Sequence, residues 1–328
     1  MHQSKVMAVG YIAVVMVLYL CTFLNSAQAA VLSESEQMWI DEHASEVSFS
    51  PVKDHPPFLW SQYGVLFGIS YDYLNYIQEQ LSVNFPKREP RTRKEIIDAL
   101  KAGEISFTAS LSQTPERTEY LLFTRPYISI PTVYVGKSGS KVKTGLEIVE
   151  KQLRVSVGDE YGVHEYLSSR YPDMQLVPAD NNYLVLQNVL SGVTEIGVMN
   201  IASLSYLVRE HNMTNLKKIA NTGFEANSSF AVANTAPELR NIIDNVIESM
   251  PRKTRDAIVS RWITDIATIE NLAGTAVVDI PETTSDKKDI YLMGMGALLL
   301  LCLGFILHYV FVRSTPRVDE TGNTEYIP

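Results

Sequence analysis

Two long apolar segments near the ends of the chain constrain its fold more than any other feature. The first, residues 6–24, follows the basic start Met1–Lys5 and precedes the small-residue run Asn25–Ala30. This order predicts a secretory signal peptide cleaved after Ala29. Because the apolar run could also span a bilayer, a retained anchor is the alternative. The second segment, Ile290–Val312, is long enough to cross a membrane as one helix. The chain between the two segments is therefore expected to fold outside the cytoplasm.

This reading divides the chain into successive parts with different roles. They are a signal peptide (1–29), a folded domain (31–266), a polar linker (267–289), a transmembrane helix (290–312) and a short tail (313–328). Export of the domain predicts a single-pass protein of the bacterial inner membrane, with the domain in the periplasm and the tail in the cytoplasm. The tail is too short for a catalytic domain, so any signal or solute would have to pass to a partner. The alternative is that the chain is a truncated receptor.

Charge and cysteine content exclude several classes of function. The net charge of −9 and the lack of a basic run argue against nucleic-acid binding. Both cysteines, Cys21 and Cys302, lie in the apolar end segments. The region between them has no thiol for a disulfide, a zinc cluster or a nucleophile. We therefore expect no metal and no cofactor.

The apolar pattern of the domain alternates between strands and helices. Strands are predicted at Val47–Val52, Leu81–Phe85 and Ile105–Ala109, with helices at Gly68–Leu81 and Thr92–Ala102 between them. This order predicts an α/β lobe with a largely parallel sheet.

A second α/β lobe is predicted between two strands that cross from one lobe to the other. The crossing strands are Thr132–Gly136 and Lys217–Asn221. Lobe 1 then covers about 45–131 and 222–266, and lobe 2 covers about 137–218. Ligands of such sheets bind beyond the carboxyl ends of the strands.

The stretch Gly103–Tyr127, GEISFTASLSQTPERTEYLLFTRPY, brings several anion-binding features together. A buried-looking strand leads to Ser110 and Ser112, and Thr114 then begins a short predicted helix that carries Arg117. Helix N-termini attract anions, and an arginine can hold a carboxylate with two hydrogen bonds. The stretch predicts a small-anion site. The alternative is an ordinary capped helix with Arg117 exposed to solvent.

The same stretch, through TPER and FTRPY, resembles the family 3 extracellular solute-binding proteins. More specifically, it is similar to the flytrap sensor domains fused to bacterial membrane histidine kinases, and the resemblance covers about Leu32–Thr264. The resemblance implies an α/β, two-lobed periplasmic-binding (Venus flytrap) fold with two hinge crossings. It also implies that a small ligand, an amino acid or a related small carboxylate, binds between the lobes.

The resemblance also assigns ligand contacts to particular side chains. They are His55, Phe58, Ser110, Ser112 and Arg117 on lobe 1, and Tyr161, His164 and Asn200 on lobe 2. Three of these have plain alternatives. His55 could be a loop histidine in water, and His164 could be a partly exposed helix residue. Asn200 could simply cap the next helix.

Asn200 also bears on the type of ligand. It stands where amino-acid binders place a carboxylate for the ligand's ammonium group, and an amide cannot neutralise that charge. Either the ligand is not a standard α-amino acid, or another acid such as Glu160 compensates.

The preferred function is a membrane-anchored sensor or capture protein that acts through a sensor kinase or a permease. The alternatives are the binding component of an amino-acid-type ABC uptake system, and an enzyme of the same fold, dehydratase-like or murein-cleaving. Such an enzyme needs a positioned acid. Glu160 and Glu165 are available for that role, but they belong to no catalytic motif. We therefore assign no catalytic residue and expect no enzymatic activity.

Overall fold

The computed structural model describes residues 32–263 and two short strands near the C-terminus, Arg317–Val318 and Thr324–Glu325, which pair antiparallel. The predicted signal peptide, linker and membrane helix lie outside the described residues. Within the described part of the chain, no helix combines the length and the apolar character needed to cross a bilayer.

Residues 32–263 contain nine α-helices, and the two helices predicted for lobe 1 are among them. They are α1 (Glu34–His43), α2 (Ile69–Leu81), α3 (Arg93–Lys101), α4 (Gly145–Glu150), α5 (Gly162–Arg170), α6 (Asn182–Ser191), α7 (Ile201–Glu210), α8 (Pro237–Ser249) and α9 (Arg252–Trp262). Capping boxes at Ser33 and Thr92 fix the starts of α1 and α3, because each hydroxyl accepts a hydrogen bond from the third helical residue.

The strands form one small and one large sheet. They are β1 (Asp54–His55), β2 (Leu59–Gln62), β3 (Val65–Phe67), β4 (Phe107–Ser112), β5 (Leu121–Phe123), β6 (Ile128–Lys137), β7 (Arg154–Gly158), β8 (Gln175–Ala179), β9 (Ile196–Asn200) and β10 (Leu216–Ala233). β1, β2 and β3 make an antiparallel sheet of their own. The large sheet has the order β4-β10-β6-β9-β7-β8, with β5 also paired to β10.

Two long strands, β6 and β10, connect the halves of the large sheet. They pair antiparallel from Lys137 with Leu216 to Ile128 with Ser228. At one end β10 pairs with β4 and β5, and at the other end β6 pairs with β9. The chain thus crosses between the two halves of the sheet twice, along β6 and along β10. We call the residues between β6 and β10 lobe 2 and the remaining described residues of 32–263 lobe 1.

The apolar cores show that the lobes are in contact. One cluster includes Val155, Leu167 and Val198 and lies within lobe 2 and the crossing strands. The larger cluster contains the core of lobe 1 and continues into α6 and α7 through residues such as Leu186 and Leu204. The lobes therefore share buried apolar surface, which stabilises the closed arrangement.

The prediction of a largely parallel sheet in lobe 1 is wrong. Strand β10 lies between β4 and β6 and pairs antiparallel with both. The predicted strand Val47–Val52 is reduced to isolated parallel bridges at Phe49 and Val52. Residues Leu81–Phe85 do not form the predicted strand. Helix α2 continues to Leu81, and Ser82 then adopts a left-handed conformation. The order of elements along the sequence did not show that β10, the last strand of the domain, would lie between β4 and β6.

Candidate functional site

Arg117 lies in the cleft between the lobes, but the element that carries it differs from the predicted one. Residues Arg117–Glu119 form a single 3-10 turn, too short to offer the N-terminus of a helix. The Thr114 hydroxyl accepts a hydrogen bond from the backbone N–H of Arg117 at 3.3 Å. The predicted helix N-terminus is therefore wrong, and the guanidinium is what this turn presents to the cleft.

The guanidinium of Arg117 joins the two lobes. Nη1 donates to the carbonyl oxygen of Ser112 in lobe 1 at 3.0 Å. Nη2 donates to the carbonyl oxygen of Glu160 in lobe 2 at 2.7 Å, and also to Oε1 of Glu165 in a short ion pair. Arg117 is 1% exposed, so the alternative of a solvent-facing arginine is wrong for this structure. Its Nε is buried without a partner.

The loop that carries His55 and Phe58 is fixed on the start of α2. The backbone N–H groups of Ile69 and Ser70 donate to the carbonyl oxygens of Pro57 and Phe58 at 3.0 and 2.8 Å. Gly68 allows this close approach, since its φ is 117° and a Cβ there would lie 2.3 Å from the Phe58 oxygen. The loop is consequently part of the framework of lobe 1.

His55 is buried in the cleft rather than exposed to water. Its ring stacks on Phe58 with 4.9 Å between centroids and contacts the edge of Tyr161 at 5.3 Å. Burial, with a further contribution from the Arg93 guanidinium, holds the pKa of His55 well below its ordinary value of 6.5. The imidazole is therefore neutral at neutral pH.

A second arginine of the cleft, Arg93, was not predicted. It is the first residue of α3 and is 6% exposed. Nη1 donates to the carbonyl oxygen of Ser110 at 2.7 Å, and Nη2 donates to Nδ1 of His55 at 3.0 Å. The guanidinium carbon lies 4.6 Å from the ring centroid of Tyr161. No sequence signal separates Arg93 from Arg91 or Lys94 beside it, because only the tertiary fold turns α3 towards the cleft.

Ser110 and Ser112 lie near the end of β4 and line the cleft, as their predicted role requires. The pairing of β4 with β10 is irregular beside Ser110, which has a φ of 65°. This irregularity, typical of a β-bulge, leaves the Ser110 carbonyl free to accept from Arg93. The Ser110 hydroxyl lies 3.3 Å from Nδ1 of His55.

Two of the three ligand contacts predicted for lobe 2 line the cleft, and the third does not. Tyr161, just before α5, is 8% exposed and lines the cleft. His164 is on α5 outside the lining, with Nδ1 3.7 Å from a carboxylate oxygen of Asp159. Asn200 lines the cleft and caps α7, since its Oδ1 accepts from the backbone N–H of Ser203 at 2.8 Å.

Little space remains between these side chains. The cavity has a volume of about 30 Å³ and is lined on the lobe 1 side by His55, Phe58 and Arg93, and on the lobe 2 side by Tyr161 and Asn200. That volume holds a water molecule or two, whereas ligand pockets usually measure hundreds of Å³. The cleft is closed, and the lobes would have to separate before a small molecule could enter.

Several known proteins are similar to this chain. The sensor protein EvgS of Escherichia coli is 25% identical over 275 residues, which cover 82% of this chain but 21% of EvgS. The amino-acid-binding protein AabA of Dichelobacter nodosus is 23% identical over 199 residues, or 60% of this chain and 78% of AabA. The crystal structure of the periplasmic VFT2 domain of BvgS from Bordetella pertussis matches with a TM-score of 0.63 at 24% identity. That match covers 70% of this chain and 98% of the BvgS domain.

These likenesses agree with the fold. The BvgS domain supports a two-lobed flytrap architecture, and the named relatives are binding or sensor proteins. The chain spans about a fifth of the length of the EvgS sensor that it matches. The model of the bacterial extracellular solute-binding proteins, family 3, matches residues 48–265. Since this match covers more than half of the sequence, the chain belongs to the family 3 bacterial extracellular solute-binding proteins.

Proposed function

We propose that this chain is a periplasmic sensor, anchored in the inner membrane by residues 290–312, whose lobes close around a small carboxylate. The family and the likeness to EvgS support a solute-binding sensor domain. The apolar segments of the sequence support export and anchoring. The proposal contains no catalytic step.

One observation carries the proposal: Arg117 bonds to both lobes at once. Its hydrogen bond to Ser112 is internal to lobe 1, whereas its bonds to Glu160 and Glu165 require the cleft to be closed. A conformational change is driven only by contacts that differ between the two states. The bonds from Arg117 to lobe 2 are contacts of that kind.

A carboxylate ligand would take the place of Glu165 on Arg117. Both groups are carboxylates, and a guanidinium binds either one through charge-assisted hydrogen bonds. Glu165 keeps the buried guanidinium neutralised when the cleft is closed without ligand, because an unpaired buried charge is costly. Exchange would require the lobes to open and the ligand to bind before they close again.

The contacts of Asn200 support a carboxylate that lacks an α-ammonium group. Its Oδ1 accepts from the Ser203 N–H and its Nδ2 donates to the Ser203 hydroxyl at 3.1 Å. That hydroxyl donates in turn to the carbonyl oxygen of Pro56 in lobe 1 at 2.8 Å. The amide therefore already has a structural role, and because it is neutral it could not compensate the charge of an ammonium group.

The output of the sensor is proposed to pass through a partner protein in the membrane. Likeness to a sensor protein favours a sensor kinase, whereas likeness to AabA favours delivery to an uptake permease. Crosslinking in the native membrane followed by purification distinguishes them. We expect a kinase to be recovered; recovery of a permease would favour uptake, and recovery of this chain alone would contradict both.

The ligand site is tested with Arg117→Ala. We expect small carboxylates to raise the melting temperature of the full-length chain, and the variant to lose that shift, because the guanidinium that holds the carboxylate is gone. Differential scanning fluorimetry measures the shift. Arg170→Ala, an exposed arginine of α5, is the control and should behave like wild type. An unchanged shift in Arg117→Ala would mean that the site lies elsewhere.

A further inference from the structure

Arg93 is a buried cation with no anionic partner. Its guanidinium contacts a carbonyl oxygen, a neutral imidazole and the face of Tyr161, and its Nε is buried without a hydrogen-bond partner. Among the described residues, no carboxylate lies within ion-pair distance of it. Burial lowers the pKa of Arg93 from its ordinary value, although an arginine stays charged in a protein. A buried charge in this state is costly, and an anion beside it would remove the cost.

The closed cleft therefore contains more positive than negative charge. Arg93 and Arg117 each contribute one positive charge, and Glu165 returns one negative charge through its pair with Arg117. His55 contributes none, because its pKa is depressed. Asp54, next to His55, is ion-paired to neither guanidinium. One positive charge is left over, and it belongs to Arg93.

Each guanidinium group has at least one hydrogen bond within lobe 1. Arg93 donates to the carbonyl oxygen of Ser110, and Arg117 donates to that of Ser112, two residues further along the same strand. The two cations should thus keep their spacing when the cleft opens, since neither of these bonds involves lobe 2.

A single short segment of lobe 2 covers both cations. Tyr161 places its ring over Arg93, and Glu165, on the first turn of α5, places its carboxylate on Arg117. Because the two residues are four apart, one movement of this segment uncovers both guanidinium groups. In the closed cleft each guanidinium group is thus covered by one side chain of this segment.

We propose that the ligand of this cleft carries two anionic groups, as a short dicarboxylate does, with one group on Arg117 and the other on Arg93. This inference rests on the proposed carboxylate site and adds the second cation to it. Two carboxylates would neutralise both guanidinium groups without Glu165. In the absence of ligand, Tyr161 shields Arg93 from water but cannot neutralise it.

Paired ligands of different charge test this inference on the full-length chain purified in detergent. The probes are succinate and glutarate, with butyrate as a four-carbon acid that has one carboxylate, and titration calorimetry measures Kd. We expect wild type to bind the dicarboxylates roughly tenfold or more tightly than butyrate, which is the worth of a charge-assisted hydrogen bond. Arg93→Gln should weaken dicarboxylate binding more than butyrate binding and so remove that advantage.

Two further variants keep the test decisive even if Arg93→Gln does not fold. Arg91→Gln is the matched control, since Arg91 pairs with Glu104 outside the cleft at 3.0 Å, and it should bind like wild type. Tyr161→Ala removes the ring over Arg93 and keeps the guanidinium. It should therefore tighten dicarboxylate binding more than butyrate binding.

The possible results separate this inference from the proposed function. If butyrate and the dicarboxylates bind equally, and neither Arg93→Gln nor Tyr161→Ala changes their ratio, the second anionic group is refuted while the carboxylate site stands. Binding of butyrate without binding of dicarboxylates refutes it in the same way. If neither class of acid binds to wild type, the carboxylate site is itself refuted, and this inference with it.

Discussion

The two lobes face each other across the cleft with different kinds of side chain. Lobe 1 contributes the cations Arg93 and Arg117, each hydrogen-bonded to a backbone carbonyl of β4. Lobe 2 contributes Tyr161 and Glu165, which cover those cations. The lobe 1 bonds of both cations need no contact with lobe 2, whereas the contacts of Tyr161 and Glu165 with those cations require the closed cleft. The comparison teaches that binding and closing depend on different residues, so substitutions should be able to separate them.

The largest effect is expected from removing the carboxylate of Glu165, which neutralises Arg117 across the cleft. We expect Glu165→Gln to lower the free energy of unfolding by about 1.5–3 kcal/mol, because the buried guanidinium of Arg117 loses its anionic partner and keeps only a neutral amide there. Urea unfolding of the full-length chain measures the loss. Glu150→Gln, an exposed glutamate of the same lobe, is the control and should change little.

The same Glu165→Gln variant distinguishes closing from binding. If Glu165 occupies the place of a ligand carboxylate, its removal should tighten carboxylate binding while it destabilises the ligand-free chain. Weaker binding together with lower stability would contradict the division between the lobes, because Glu165 would then be part of the ligand site.

A smaller effect is expected from adding a methyl group where the two lobes are packed together. A Cβ added at Gly162, the first residue of α5, would lie 3.0 Å from Ser112 Cβ and 3.0 Å from Phe224 Cζ. We expect Gly162→Ala to destabilise the closed form by about 1–3 kcal/mol, because overpacking of a tight contact forces atoms apart. Trp60 contacts Tyr206 of lobe 2 with 5.4 Å between ring centroids, so its fluorescence should change as the lobes separate.

Gly139→Ala is the matched control for this experiment. A Cβ at Gly139 meets no atom within 4 Å, and its φ is not in the left-handed region. The control should leave both stability and Trp60 fluorescence unchanged. If Gly162→Ala behaves like Gly139→Ala, the two lobes are not closely packed at this point.

The smallest effect is a pH dependence of stability that comes from His55, the neutral imidazole on the lobe 1 side of the cleft. Its pKa is depressed in the folded chain, so below about pH 6.5 the unfolded chain binds a proton that the folded chain does not. The contribution of His55 to the free energy of unfolding should therefore be fully present above pH 6.5. It should be lost as the pH falls below that value, by up to about 1.4 kcal/mol per pH unit. Chemical denaturation between pH 7.5 and 5.5 measures this slope.

His55→Gln should remove the His55 contribution to the slope and keep an acceptor for Arg93. His43→Gln, on α1 away from the cleft, should keep the slope of wild type. An equal slope in wild type and His55→Gln would show that His55 gains its proton freely, and hence that the cleft opens readily in this pH range.

The sequence was sufficient for the lobe 1 helices and for the family, because these depend on local patterns along the chain. Apolar periodicity predicted the helices Gly68–Leu81 and Thr92–Ala102, which the structure contains as α2 and α3. The motif around Arg117 indicated the family, and the family model confirms that indication. Neighbouring residues decide these features, so they can be inferred from a single sequence.

The composition of the cleft was decided only by the tertiary structure. Arg93 and Glu165 are 72 positions apart along the chain, and nothing local distinguishes either from the charged residues beside it. Strand β10 returns from the far end of the domain to pair between β4 and β6, and this non-local pairing changed the predicted parallel sheet. Burial gives Arg93, His55 and Arg117 their chemical properties, because desolvation depends on which distant segments cover a side chain. A sequence motif could indicate an arginine for the cleft, but only the folded chain shows the second arginine and the carboxylate that neutralises the first.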